Sequence, residues 1–120
     1  AIGPASAGVH GNLAYVHFAA GRLPDAEKAA RRALALDSKL PLAHYLLGTM
    51  LATEEKDSEA IGHLQLGAQV SPKAHMQAAR IYQKAGDTKS AARELQQYLN
   101  SSDTLYRADA ERWLAALARN

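Results

Sequence analysis

The amino-acid sequence predicts an all-α protein made of three stacked helical hairpins and a closing helix. Four positions recur along the chain, and each series advances by 34 and then by 31 residues. The series are His10, His44 and His75; Gly21, Glu55 and Gly86; Ala26, Ala60 and Ala91; and Ser38, Pro72 and Asp103. A period in the thirties is typical of arrays in which each unit buries its apolar face only against its neighbours. The composition is rich in alanine and only 6% aromatic, which favours close-packed helices over sheet.

The first predicted hairpin joins a helix at about 7–20 to a helix at about 24–36. Gly21 lies where the end of a helix needs a residue in the left-handed conformation. Pro24 fits the first turn of the following helix, where a missing N–H group costs nothing. We therefore expect a short turn between two antiparallel helices.

The second predicted hairpin joins helices at about 41–53 and 58–70. Asp57 is predicted to cap the second of these helices, since an aspartate side chain accepts hydrogen bonds from free N–H groups at a helix start. The spacing between the second and third histidines is three residues shorter than between the first two. The connection at 71–73 is therefore expected to be tight.

The third predicted hairpin joins helices at about 73–85 and 89–100. Gly86 is expected to end the first helix and Thr88 to cap the second. Small residues recur in all three hairpins where the paired helices must touch. Ala14, Gly48 and Ala79 share one position of the first helices, and Ala26, Ala60 and Ala91 share one of the second helices, which allows an interaxial distance at the low end of 8–10 Å.

The last predicted helix runs from Thr104 to Ala118 and begins after Asp103. Its apolar residues follow the i, i+4, i+7, i+8, i+11 spacing of a single helical face. These residues are Tyr106, Ala110, Trp113, Leu114 and Leu117. The helix is therefore expected to cover the end of the array.

The length and composition predict a single domain over residues 1–120 and exclude several classes of protein. The chain has no cysteine, which excludes disulfides and thiolate metal sites, and its net charge of +2 gives little support to nucleic-acid binding. No apolar run approaches the roughly 18 residues of a membrane span. Residues 1–6 lack the basic and apolar parts of a secretion signal, and the compartment stays unknown.

The residues that could carry chemistry do not form a reactive arrangement in the sequence. There is no thiol, no G-x-S-x-G motif and no glycine-rich phosphate loop. Equivalent histidines on stacked hairpins lie about 10 Å apart, whereas metal ligands must converge to about 2 Å from one ion. We therefore expect no catalytic residue, no metal site and no cofactor, with the histidines filling space between helices.

The repeat pattern resembles the tetratricopeptide repeat (TPR), whose unit reads W-x2-L-G-x2-Y, then A-x3-F, then P. The residues that carry the resemblance are Leu13, Ala14, Gly21, Ala26 and Leu34; His44, Leu47, Gly48, Leu51, Ala60, Leu64 and Pro72; and Ala79, Tyr82, Gly86, Ala91 and Leu99. It implies a right-handed superhelical array with repeats at about 7–40, 41–71 and 72–102 and a capping helix at about 103–119.

Three departures from the TPR pattern carry structural expectations. Histidine takes the place of the usual aromatic residue in all three units. Glu55 stands where glycine is typical, which should weaken that turn by about 1 kcal/mol. Tyr98 occupies a position usually held by alanine, and we expect it to pack against Trp113 or Leu114 of the last helix.

The resemblance implies that the first helices of the hairpins line a concave groove for a peptide or helix of a partner protein. Carried over position by position, the predicted groove consists of Asn12, Tyr15, Tyr45, Thr49, Thr53, Met76, Gln77, Arg80 and Lys84. Tyrosine and arginine often carry interface energy. An apolar or aromatic segment followed by acidic groups would suit this surface. The TPR subclass that clamps chaperone carboxylates is disfavoured, because only Lys73 matches its clamp.

Two alternatives to a peptide-binding adaptor remain at this point. The first hairpin or the last helix could pair with a second copy, which would make the chain a dimerisation module and a homo-oligomer. Helical hairpin repeats of this length also bind single-stranded RNA, one base per unit. Three units are few for that function, and 14 basic against 12 acidic residues is a weak charge excess, so nucleic acid is disfavoured as a partner.

Overall fold

The computed structural model describes residues 4–119, and the side chains of residues 6–119. Residues 1–3 and Asn120 of the predicted domain lie outside the described residues. The described residues form seven α-helices and no strand. The helices are α1 (Pro4–Ala19), α2 (Leu23–Leu36), α3 (Pro41–Thr53), α4 (Asp57–Gly67), α5 (Lys73–Lys84), α6 (Thr88–Leu99) and α7 (Arg107–Ala118). The predicted all-α fold class is confirmed.

The helices stack in sequence along an elongated molecule of 54 × 28 × 24 Å. Each of α1, α3 and α5 packs mainly on the helix that follows it, which gives three hairpins. Each of α3, α5 and α7 also packs on the helix that precedes it, and α3 touches both α1 and α5. This arrangement is a helical repeat array, because contacts join only neighbouring hairpins.

The apolar core is divided into three clusters along the array. The first cluster joins α1, α2 and α3 around Ala30 and Leu47. The second joins α3, α4 and α5 around Leu64, and the third joins α5, α6 and α7 around Leu95. The six small residues predicted at helix contacts are all buried: Ala14, Ala26, Gly48, Ala60, Ala79 and Ala91.

The three turn residues of the repeat share one backbone conformation. Gly21 has φ 80°, Glu55 has φ 60° and Gly86 has φ 83°. Positive φ is the left-handed region, which an L residue with a side chain adopts at a cost of roughly 1–2 kcal/mol. The predicted turn position is thus occupied in all three hairpins, and Glu55 adopts the glycine conformation there.

Several predicted helix boundaries are wrong by about three residues. The helix α1 begins at Pro4 rather than at residue 7, and α4 ends at Gly67 rather than at residue 70. The last helix begins at Arg107 rather than Thr104, because residues 101–106 form a turn. In this turn Asp103 Oδ1 accepts a hydrogen bond from the backbone N–H of Leu105 at 3.0 Å.

The predicted caps of α4 and α6 are also wrong. Asp57 is the first residue of α4, and its side chain makes no capping hydrogen bond. The N-cap of α6 is Asp87, one residue before Thr88, and Asp87 Oδ1 accepts a hydrogen bond from the Ser90 N–H at 3.0 Å. The pKa of Asp87 is lowered by the hydrogen bond from the Ser90 side chain first and by this N–H bond second, since both favour the charged carboxylate.

Tyr98 closes the C-terminal end of the array. It is fully buried in the third cluster, against which Trp113 and Leu114 of α7 also pack, as predicted. Its hydroxyl accepts a hydrogen bond from the backbone N–H of Tyr106 at 2.8 Å. A residue that is alanine or glycine in the other two units thus joins α6 to the start of α7.

No helix among residues 4–119 is long and apolar enough to cross a membrane.

Candidate functional site

The first helices of the second and third hairpins border a cleft of about 290 Å³, which we call the α3–α5 cleft. It is lined by Thr49, Ala52, Thr53, Asp57, Gln77, Arg80, Ile81 and Lys84. Both α3 and α5 present polar side chains here because their apolar faces are used in the core clusters. The cleft is therefore a polar surface on a packed framework.

A side-chain hydrogen bond links α3 to α5 across the α3–α5 cleft. Gln77 Nε2 donates to Thr49 Oγ1 at 3.1 Å. This bond fixes the direction of the Gln77 amide, so that its Oε1 atom lies on the other side. Gln77 Oε1 is buried and has no hydrogen-bond partner among the described atoms. Buried acceptors are nearly always paired in folded proteins, so Gln77 Oε1 is an exception to that pattern.

An ion pair closes one end of the α3–α5 cleft. Lys84 Nζ lies 2.9 Å from Asp57 Oδ2, and this hydrogen bond raises the pKa of Lys84. The other carboxylate oxygen, Asp57 Oδ1, is buried without a hydrogen-bond partner. Asp57 of α4 and Gln77 of α5 thus both line the α3–α5 cleft, and each has one acceptor oxygen buried beneath the surface of the cleft.

A second cleft of about 370 Å³, the α5–α7 cleft, adjoins the first. It is lined by Lys73, Met76, Gln77, Arg80 and Tyr106. Gln77 and Arg80 border both clefts, which makes the two continuous. Trp113 Nε1 donates to Gln83 Oε1 at 2.7 Å, which links α7 to α5.

The α5–α7 cleft is positively charged. Lys73 Nζ lies 5.9 Å from the centre of the Tyr106 ring. Within residues 4–119 neither Lys73 nor Arg80 forms an ion pair. Both side chains are exposed. Two cations without anionic partners at one cleft favour a ligand that carries negative charge.

Six of the nine predicted groove residues line these two clefts. They are Thr49, Thr53, Met76, Gln77, Arg80 and Lys84. The structure does not bring the other three to the same place. Tyr45 is half-buried between the first and second core clusters, while Asn12 and Tyr15 are exposed on α1. The candidate site is therefore displaced toward the C-terminal half of the array.

Sequence reasoning missed the acidic and aromatic members of the clefts. Asp57 was assigned to a helix cap, and Tyr106 to the apolar face of α7. The start of α7 at Arg107 leaves Tyr106 in the preceding turn, where its ring can border α5. The spacing of residues in the sequence does not indicate where α7 starts, because that boundary depends on the hydrogen bond from the Tyr106 N–H to the Tyr98 hydroxyl.

A second group of polar contacts lies inside the second hairpin. His44 Nδ1 lies 2.9 Å from His63 Nδ1, and the two rings stack with centres 5.1 Å apart. His44 Nε2 lies 2.8 Å from the carbonyl oxygen of Ser38, which requires a proton on Nε2. In the neutral pair His44 Nδ1 then accepts a hydrogen bond from His63.

The environment of His63 lowers its pKa. Partial burial is the main cause, followed by the neighbouring positive charges of His44 and Arg31, while Glu59 acts in the opposite direction. Protonation of both rings would place two positive charges in contact. The histidine pair is therefore built for the neutral state.

The equivalent position of the third hairpin holds a histidine–carboxylate pair. His75 Nδ1 lies 2.8 Å from Glu94 Oε1, and Gln65 Nε2 donates to Glu94 Oε2 at 2.9 Å. Burial raises the pKa of the Glu94 carboxyl, but the hydrogen bonds from His75 and Gln65 more than offset this, and its pKa is lowered. Glu94 is thus a buried carboxylate with both oxygens paired.

The same separation of 19 residues joins both histidine pairs. In the first hairpin the residue 19 positions after His10 is Ala29, whose side chain cannot form a hydrogen bond. Among residues 4–119 no group of three or more histidine, aspartate or glutamate side chains is arranged to hold a metal ion. The two pairs fill the interior of their hairpins, and the clefts remain the candidate binding site.

No protein-family model matches the chain, and no curated protein sequence is significantly similar to it. Two solved structures of the type III secretion translocator chaperone SycD from Yersinia enterocolitica have a similar fold. SycD in complex with a peptide of the translocator YopD is 19% identical with a TM-score of 0.75, covering 91% of this chain and 89% of that chain. A second SycD structure has the same identity and TM-score and covers 91% of this chain and 81% of that chain.

At this level of identity the likeness to SycD concerns the fold alone. Helical repeat chaperones and this chain share an all-α array, but no residue role passes from one to the other.

Proposed function

We propose that the chain is a TPR-type, non-catalytic protein-interaction module that binds an extended acidic segment of a partner protein. The segment would lie along the α3–α5 and α5–α7 clefts. A single domain with the repeat boundaries and right-handed superhelix given above is part of this proposal. The partner is defined by its chemistry: a peptide with apolar or aromatic residues followed by acidic ones.

The observation that carries the proposal is the pair of unpaired cations, Lys73 and Arg80, at one continuous polar surface. The neighbouring cation Lys84 is already neutralised by Asp57 at 2.9 Å. An arginine that lacks an acidic neighbour can bind a carboxylate through two parallel hydrogen bonds. Acidic side chains, or a terminal carboxylate, therefore fit the α5–α7 cleft.

Polar uncharged side chains beside the cations support a peptide as the ligand rather than a simple anion. Thr49 and Thr53 line the α3–α5 cleft, and their hydroxyl groups can hydrogen-bond to the backbone of an extended peptide. Met76 adds a flexible apolar side chain that adapts to different partners.

The structural neighbours are consistent with this proposal. SycD has a similar helical array, and one of its structures contains a peptide of its translocator YopD. Peptide recognition by such an array is therefore physically achievable with this framework. The charge preference proposed for this chain rests on its own Lys73 and Arg80.

A displayed library of random 12-residue peptides tests the proposal directly. We expect selection against the wild-type chain to enrich peptides with acidic residues next to apolar or aromatic ones. An enriched peptide should bind an Arg80→Glu variant at least tenfold more weakly, because a repulsive charge replaces the attractive one. Fluorescence anisotropy with the labelled peptide measures the affinity.

The matched control is Arg93→Glu, which makes the same charge change at an exposed position of α6 that lines neither cleft. This variant should bind the peptide as the wild type does. Equal affinity of the Arg80→Glu variant, or enrichment of peptides without acidic residues, would overturn the proposal. A uniform loss in both variants would show an unspecific charge effect and would also overturn it.

A further inference from the structure

The first helix of the array exposes a face that is buried in each of the other first helices. On α3 this face consists of Ala43, Leu46, Leu47 and Met50, all buried in the first core cluster with α2. Subtracting the repeat step of 34 gives Val9, Asn12, Leu13 and Val16 on α1. These are exposed: Val9 is 63% exposed, Leu13 44% and Val16 54%.

The same face recurs, covered, in the rest of the molecule. On α5 the residues at the equivalent positions include Ala74, Ala78 and Ile81, which are buried with residues of α4. On α7 residues at the same spacing are Ala110, Trp113, Leu114 and Leu117, which pack in the cluster with α6. In each case the covering element is the second helix of the preceding hairpin. Among residues 4–119 no helix covers this face of α1.

The composition of α1 fits a covered helix. Residues 4–19 contain no aspartate, glutamate, lysine or arginine. A solvent-facing helix normally carries charges on its outer side. Asn12 is the polar member of the face, and its equivalent Gln77 is half-buried where α5 borders the clefts. The position of Asn12 thus accepts a polar residue in one of the covered helices, although Leu46 is fully buried at the same position of α3.

We propose that the Val9–Leu13–Val16 face of α1, here called the α1 face, is a docking surface for an alanine-rich α-helix of a partner protein. The partner helix would lie on α1 as α2 lies on α3. The helix α2 presents Ala26, Ala29, Ala30 and Ala33, all buried, to the first cluster. Alanines at this spacing allow the close approach that Val9, Leu13 and Val16 need to lose contact with water.

Charged residues beside the α1 face define one edge of the partner helix. A cleft next to Leu13 is lined by Lys28 and Arg32 of α2, together with Asp25 and His17. Within residues 4–119 Lys28 and Arg32 form no ion pair. Acidic residues on the adjoining edge of the partner helix would complement them. A second copy of the chain would bring its own basic α2 to this place, which is why a different partner is favoured.

The probe is a synthetic peptide with the sequence of residues 22–40 carrying Arg31→Glu. Arg31 is chosen because it lies near α4, where its charge lowers the pKa of His63. When the probe lies on α1 as α2 lies on α3, the residue at this position of the probe would face α2. Added to the whole chain, the peptide should change amide NMR shifts in α1 in a saturable manner. A Leu13→Asp variant should bind it at least tenfold more weakly. Leu105→Asp, at an exposed leucine outside α1, is the control and should bind normally.

An isolated helix of this length is only marginally stable, so a second measurement grafts the same sequence in register. Residues 22–40 with Arg31→Glu are placed directly before residue 7 of the chain. The graft should raise Tm by roughly 5 °C or more in the wild type and in Leu105→Asp, but not in Leu13→Asp. A graft that keeps arginine at the position of Arg31 should raise Tm less, because this charge would repel Lys28 and Arg32.

Three results would overturn the docking proposal. The first is a graft that fails to stabilise the wild type, and the second is one that stabilises the Leu13→Asp variant equally. The third is a dimer of the ungrafted chain in light scattering that Leu13→Asp converts to a monomer, since the occupant would then be a second copy. None of these results affects the cleft proposal, because the residues that line the clefts lie on α3, α4, α5 and the turn before α7.

Discussion

The second and third hairpins place a histidine at the same position but give it different partners. His44 faces His63 in the second hairpin, whereas His75 faces Glu94 in the third. The environment of His63 disfavours its charged form, whereas Glu94 remains a paired, charged carboxylate. The repeat therefore preserves the shape of the hairpin interior and leaves its electrostatic character free to differ between units.

The second and third hairpins also differ at two other equivalent positions. The turn residue is Glu55 in the second and Gly86 in the third, with positive φ in both. The last turn of the second helix holds Gly67 in one and Tyr98 in the other. At each position the second hairpin bears either strain or a very close contact, which makes it the more easily disturbed of the two.

The largest effect is expected from removing the Glu94 carboxylate. Glu94→Ala leaves His75 and Gln65 without their partner inside the third hairpin, which should lower the free energy of unfolding by about 3 kcal/mol. Urea denaturation followed by circular dichroism measures it. Glu111→Ala, at an exposed position of α7, should change stability by less than about 0.5 kcal/mol. Equal effects of both would show that the pair does not stabilise the third hairpin.

A smaller loss is expected from adding one methyl group at Gly67. A Cβ atom there would lie 2.5 Å from the Tyr45 Cα atom and 2.6 Å from its backbone nitrogen, so α3 and α4 would have to move apart. We expect Gly67→Ala to cost roughly 2 kcal/mol. Gly62→Ala on the same helix meets nothing within 4 Å and should instead stabilise by about 1 kcal/mol. If both variants gain stability, the contact is looser than described.

The turn comparison predicts a gain of stability. Glu55→Gly relieves the left-handed strain and should raise the free energy of unfolding by about 1 kcal/mol. The reverse change in the third hairpin, Gly86→Glu, should lower it by a similar amount. Thermal melts of the two variants and the wild type provide the test. Changes of the same sign would contradict a shared turn geometry.

The smallest effect is a pH dependence that differs between the two hairpins. Because the pKa of His63 is lowered in the folded state, the unfolded chain takes up this proton first as pH falls below about 6.5. Stability contributed by neutral His63 is therefore present above that pH and is lost in mild acid. The pKa of Glu94 is also lowered from 4.5, so its contribution is lost only at lower pH, as the carboxylate becomes protonated.

Hydrogen exchange can assign these losses to their hairpins. Between pH 7.5 and 5.5, after correction for the intrinsic exchange rate, protection should fall in α3 and α4 more than in α5 and α6. A His63→Glu variant should reduce the loss in the second hairpin. Equal loss of protection in both hairpins of the wild type would contradict this assignment.

The fold was predictable because its signals are local and repeated. Gly21, Glu55 and Gly86 mark the turns, and the buried alanines mark where helices touch. The boundary of α7 was not predictable, since it depends on a hydrogen bond between the Tyr106 N–H and the distant Tyr98 hydroxyl. Helix starts and ends are set by such tertiary contacts as well as by local preference.

The candidate site was predictable only in part, for a similar reason. The register located Thr49, Gln77 and Arg80 on the first helices, where they line the clefts. It did not show that Asp57 would reach Lys84, because that contact joins different hairpins. The His44–His63 and His75–Glu94 pairs could have been found by comparing positions 19 residues apart, since hairpin geometry is the same in both units.

The division of the core into three clusters has a consequence for how the molecule comes apart. Each cluster is held by adjacent helices, so opening one end need not disrupt packing at the other. Heating or denaturant should then populate partly folded chains in which the N-terminal hairpin is loose while Trp113 still reports a native surrounding. Spectroscopic probes at the two ends would melt at separate midpoints, and a ligand at one end would protect that end alone.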